Sequence, residues 1–128
     1  MLSVDTNVVV RFLTKDDPDQ SPRARDLIVQ NDIWLCMTVV LESEWVLRSA
    51  FRYSPADFSR AMRSLGGMPG FEIENAAAVE HALRLHDQGM DFGDALHMVT
   101  VGHCEAFVTF DRDCIAIASR HGLAARAP

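Results

Sequence analysis

Two aspartates, Asp91 and Asp94, stand three residues apart in GMDFGDALHM (residues 89–98), where an apolar helical pattern begins. An acid in such a place can cap the helix, favour the positive end of its dipole, or hold a cation. Other acids occupy similar ground. The apolar run in SVD ends at Asp5, ahead of Thr6 and Asn7, and FVTFD ends at Asp111. On TVVLESEWVLRSAF, helical spacing sets Glu42 against Trp45 and Val46, along an apolar face where a carboxylate is costly unless paired or bound to a cation. Glu44 lies four residues before Arg48, the favourable order for a surface ion pair.

Acids gathered at one site raise one another's pKa values, so a cluster of Asp5, Glu42, Asp94 and Asp111 makes physical sense around a divalent metal. Oxygen donors without His or Cys select Mg²⁺ or Mn²⁺ over Zn²⁺. One or two such ions can activate water, orient a phosphodiester and stabilise its leaving oxygen, which is the chemistry of phosphodiester hydrolysis. Arg112, between Asp111 and Asp113, is placed to meet a phosphate or to neutralise its neighbours. The five histidines show no metal-ligand spacing; His97, one turn after Asp94, borders the proposed site.

The elements that must position these acids alternate between short apolar runs and longer helical segments. LSVD reads as a strand, NVVVRFL as a helix, and DDPDQSPRARDLIVQN as a turn and second helix. IWLCM is strand-like, and the TVVLESEWVLRSAF helix has Thr38 as its candidate cap. Ser54, Pro55 and Asp57 announce the next helix, whose core face carries Phe58, Ala61, Met62 and Leu65. After GGMPG, FEI forms a short strand and Asn75 is placed to cap a helix reaching about Gln88. DALHMVTV is a helix closed by Gly102, AFVTF a strand, and CIAIASRH a last helix with Asp113 as cap and Gly122 beyond its end. Strands separated by helices imply parallel pairing, hence a three-layer α/β/α sandwich with a short parallel central sheet. Acids at strand tips then fall at the carboxyl edge, where ligands collect in open parallel sheets.

Length fits one domain spanning residues 1–128, and 48% apolar with 23% charged residues is a globular rather than a disordered composition. No repeat or linker divides it. The start lacks a basic segment followed by an apolar run, and no stretch approaches the roughly 20 apolar residues of a membrane helix. A cytoplasmic protein is expected. Cys36, Cys104 and Cys114 have no metal or disulfide spacing and read as buried free thiols. The net charge of −6 argues against a broad basic surface, although acids awaiting a cation produce the same excess. Arg48, Arg52, Arg60 and Arg63 can carry phosphates, contact a partner, or form a solvated face of ion pairs. The tryptophans and phenylalanines read as core or dimer interface, and an exposed one can stack on a nucleobase.

In order and spacing, SVDTNVVVRFL, TVVLESEWVL, DFGDALH and VTFDRD resemble the PIN-domain ribonucleases, most closely the VapC-type toxins of type II toxin–antitoxin modules. The resemblance spans nearly the whole chain. It implies that Asp5, Glu42, Asp94 and Asp111 form the family's acidic quartet, with Asp5 and Asp94 the most direct metal ligands and Thr6 and Asn7 orienting ligand or phosphate. It further implies a Mg²⁺- or Mn²⁺-dependent endoribonuclease acting on RNA, a homodimer, and a cognate antitoxin whose tail enters the acidic groove. GLAARAP, the last seven residues, leaves room only for a very short final strand.

Two rivals belong to other classes. A non-catalytic module would keep the fold and acids but only bind RNA or a partner. A Mg²⁺-binding phosphotransfer or receiver-type domain would need a supporting lysine, and the only lysine is Lys15, in a turn.

Overall fold

Leu2–Ser3 (β1) pairs in parallel with Ile33–Leu35 (β2), which pairs in parallel with Phe71–Ile73 (β3). These strands come from a computed structural model describing residues 1–128. The chain forms two compact units, Met1–Ala76 and Ala77–Pro128.

In the first unit, β1 leads through buried Val4 into Thr6–Thr14 (α1), which packs against Gln20–Gln30 (α2) and Met37–Phe51 (α3). The DDPDQ turn is built from its acids. Asp16 accepts from Arg11 of α1, while Asp17 Oδ1 accepts from the backbone N–H groups of Asp19 and Gln20 at the start of α2. Those two N–H groups hold the Asp17 carboxyl below the usual carboxylate value of 3.8. The α3 cap differs from the expected Thr38: Cys36 occupies the cap position without a side-chain bond, and Glu74, just past β3, accepts from the Met37 N–H at 2.6 Å. A carboxylate distant in sequence thus satisfies the first turn of α3.

Pro55–Gly66 (α4) starts as expected, with Ser54 accepting from Asp57 N–H and Asp57 accepting from Ser54 N–H. This reciprocal box satisfies two orphan donors. Ser54→Ala is expected to cost about 1 kcal/mol in urea unfolding; a loss indistinguishable from zero would remove the box from the list of stabilising features. Phe58, Met62 and Leu65 of α4 are buried, and α4 packs on β3. Gly70 precedes β3 at φ 73°, a left-handed backbone that strains any residue with a Cβ, and a Cβ there would also push the Asp32 carboxylate aside.

The second unit opens in Ala76–Asp87 (α5), followed by Phe92–Thr100 (α6). Asn75 stands before α5 at φ 47°, not in the extended backbone of the expected cap. Phe107–Val108 (β4) pairs in parallel with Ala125–Arg126 (β5), the very short last strand, and Arg112–Arg120 (α7) packs on β5. Gly122 follows α7 at φ 71°, as its position in the sequence implies. Buried His86 bonds through Nδ1 to the Met90 carbonyl at 2.7 Å and meets Phe92 edge-on, a satisfied core histidine.

Two further expectations are corrected. Asp111, not Asp113, caps α7, because the chain leaves β4 through a turn in which Thr109 Oγ1 accepts from Asp111 N–H and the helix begins at Arg112. Among the cysteines only Cys114 is buried; Cys104 is exposed and Cys36 intermediate.

Candidate functional site

Asp5, Asp91 and Asp111 share one local design. Each is the N-cap of a helix, and each uses Oδ1 to accept from the backbone N–H three residues on: Val8 at 3.1 Å, Asp94 at 3.0 Å and Cys114 at 3.0 Å. Capping therefore engages one oxygen of each carboxylate and leaves Oδ2 for another partner. The opposition between capping and holding a cation does not exist for these residues.

In the second unit Asp91, Asp94 and Asp111 act on one another. Partial burial, then the charges of Asp91 and of Asp111, raise the Asp94 carboxyl above 3.8, while His97 works the other way. His97 is thus at the border of this acidic group, as its spacing implies. The same acids reach the thiol of Cys114: burial first, then Asp94, Asp111 and Asp91, push it up to about 11. Cys114 is inert at neutral pH on both counts, so iodoacetamide should label exposed Cys104 and spare Cys114, as read by peptide mass spectrometry. Labelling of Cys114 first would contradict the arrangement.

In the first unit Asp5 and exposed Asn7 stand at the start of α1, at the carboxyl end of β1, with Thr6 buried between them. They open onto a cleft of about 400 Å³ between α1 and α2, lined also by Val8, Arg11, Gln20, Arg23, Ala24 and Leu27. This cleft had no signal in the sequence, because its walls belong to two helices whose facing sides only packing fixes.

Glu42 lies in the second turn of α3 and is exposed. The expectation that it points along an apolar face is incorrect: Trp45 beside it is 60% exposed, and Val40, Ser43, Glu44 and Leu47 form the buried stripe. Glu44, expected on the surface, is 4% exposed and bonds to half-exposed Arg48 at 2.8 Å. Exposure leaves Glu42 accessible to a ligand, while removing burial as an argument for its role. Arg112 is exposed in the first turn of α7 and makes no ion pair, whereas Arg60 is engaged with Asp57.

The donor chemistry of these acids suits a hard divalent cation. Within neither unit, however, do three or more His, Cys, Asp or Glu side chains converge as a preformed metal cage. The acids of α6 and α7 feel one another's charge, which acts over longer distances than coordination does. Phe110, immediately before Asp111, is 85% exposed beside them.

Comparison with protein families finds a match to the PIN domain over residues 2–120. The seven helices and short parallel strands agree with the α/β/α class expected for it. No curated protein and no solved structure shows a significant match to this chain.

Proposed function

The chain belongs to the PIN-domain family, a fold generally of nucleases that use divalent metal ions, and on that premise we propose that it is a Mg²⁺- or Mn²⁺-dependent endoribonuclease. The observation that carries this reading is the gathering of acids at the starts of α6 and α7, where partial burial and then the charges of Asp91 and Asp111 raise the pKa of Asp94. Such repulsion is a standing cost that a cation removes. Asp5, Glu42, Asp94 and Asp111 would hold the ion, with Asp5 and Asp94 its most direct ligands. A bound cation supplies Lewis-acid polarisation of a phosphoryl oxygen.

The chain's own groups have distinct tasks. Cap bonds fix the rotamers of Asp5 and Asp111, so their remaining oxygens present a pre-set direction. Thr6 and Asn7, at the first turn of α1, orient a phosphate by hydrogen bonds, helped by the positive end of the helix. Arg112 offers a charged donor to the strand, and Phe110 a face for a base to stack on. The ordered motifs SVDTN, LESEW, DFGDALH and VTFDRD support the further reading as the toxin of a type II toxin–antitoxin module, a cytoplasmic homodimer silenced by its antitoxin. The family match leaves the receiver-type alternative without support.

Purified protein is expected to cut single-stranded RNA with Mg²⁺ or Mn²⁺ and to stop when EDTA is added. Mn²⁺ should also raise its melting temperature, by linkage worth about 2.7 kcal/mol at a hundredfold excess over Kd. RNA that is bound but left intact with both metals would favour the non-catalytic binding module instead.

A further inference from the structure

The cleft between α1 and α2 has features that the acids beside it do not explain. Its lining carries two cations, Arg11 and Arg23, and one carboxylate, Asp5, while Asp16 and Asp19 meet the two guanidiniums from outside the lining. Arg11 is held from two sides: Nε donates to Gln20 Oε1 at 2.9 Å, and Nη1 donates to Asp16 at 3.1 Å. Its Nη2 has no partner in the chain, so one donor of a guanidinium fixed in place is left over. Fixing the fork in advance lowers the entropy lost when it binds a ligand. Arg23, on the opposite wall, meets only Asp19 at 3.2 Å, with both side chains about three-quarters exposed. An ion pair in that much water contributes little and exchanges readily for a stronger anion. Asn7 brings an amide without a partner, and Leu27 adds apolar surface.

We propose that this cleft is a phosphate subsite of the ribonuclease, in which Arg11 and Arg23 grip a backbone phosphate of the RNA strand beside the link engaged at Asp5. The inference rests on the ribonuclease reading and adds where the strand runs: along the α1–α2 side of Asp5. Arg11 is the fixed contact and Arg23 the mobile one. Both read the backbone, so their effect is the same for every RNA sequence.

The test is fluorescence anisotropy of a labelled oligouridylate with the full chain in EDTA, where no cleavage occurs, over a range of salt concentrations. Each phosphate contact on a single strand contributes about 0.7 to the slope of log affinity against log salt. Arg23→Gln is expected to lower the wild-type slope by roughly that 0.7 and to weaken binding. Its exposed position should leave the melting temperature unchanged. Arg11→Gln should do the same to the slope, and Arg11→Lys should restore part of it. Arg25→Gln, a surface residue of α2 paired with Asp26 and outside the cleft, should leave the slope unaltered.

Equal slopes for wild type, Arg23→Gln and Arg11→Gln would overturn the proposal, as would an equal drop for Arg25→Gln, which would indicate diffuse attraction. Failure of the wild type to bind the oligonucleotide would overturn it too. The two readings separate cleanly. Slope changes without RNA cleavage by the wild type keep the subsite and remove the ribonuclease, whereas cleavage with unchanged slopes does the reverse.

Discussion

Asp94→Asn is expected to cut RNA at least roughly a thousandfold more slowly than the wild type and, without metal, to melt at a higher temperature. Both effects have one origin. Asp94 carries charge that burial, Asp91 and Asp111 all oppose, so its folded pKa lies above 3.8. The sign of the pH effect follows. Below 3.8 the carboxyl is protonated in folded and unfolded chains alike and contributes nothing. As pH rises through the raised folded value, ionisation becomes costlier in the fold than in the unfolded chain, and stability is lost. The melting advantage of Asp94→Asn should therefore be absent in acid and grow toward neutrality. Asp91→Asn is the informative partner, because Asn caps a helix about as well as Asp. It relieves part of the repulsion while keeping the start of α6, and should retain most activity. Asp5→Asn should match Asp94→Asn in lost cleavage. Wild-type rates in both Asp5→Asn and Asp94→Asn would dismiss the catalytic assignment.

The largest expected loss of stability lies elsewhere. Arg48→Met should destabilise the fold by about 1–2 kcal/mol, while Glu44→Gln costs less. The reason is asymmetry: the Glu44 side chain is 5% exposed and that of Arg48 is 49% exposed. Removing Arg48 takes one partner from a carboxylate that water scarcely reaches. Removing Glu44 leaves a guanidinium that water can solvate. Glu44→Leu with Arg48→Met should recover part of the loss, since the carboxylate that water scarcely reaches is then gone. Urea midpoints at unchanged m-value measure all three. Equal costs for the two single substitutions would show that Glu44 is solvated in solution.

The same pair shows where sequence stopped being informative. Spacing of four residues identifies Glu44 and Arg48 as partners but says nothing about which side of α3 they occupy. A surface pair would be worth only about 0.3–0.5 kcal/mol. Hydrophobicity pointed to Trp45 and Val46 as the inward face, yet the buried stripe runs through Val40, Ser43, Glu44 and Leu47. With apolar residues on several sides of α3, its rotation is decided by the α1 surface it packs against, which no local pattern reveals. Local chemistry was legible wherever it closed on itself. Ser54, Pro55 and Asp57 fix the start of α4, and Gly122 the end of α7, because donor, acceptor and positive φ lie within one turn. The Glu74 cap on Met37 was not legible, since its partners are 37 residues apart.

For the site, the identities and order of the acids were readable, and so was the placement of Asp5 and Asp111 past strand ends. Their capping role was missed at Asp111 because VTFDRD offers two aspartates, and only the turn through Thr109 selects the first. The cleft beside Asp5 was invisible for the reason that hid the rotation of α3: facing helix surfaces meet only in the fold.

On the proposed reading Asp5 and Asp111 both cap a helix and hold the ion, and that double duty constrains how such a gene can drift. A mutation to Asn keeps the helix start and discards the charge; one to Glu keeps the charge on an arm too long for the cap. No other side chain satisfies both demands at once. A lineage that no longer needs the activity therefore still gains from retaining Asp or Asn at these two positions, and their persistence in a descendant is weaker testimony to a working nuclease than persistence of Asp94, which caps nothing.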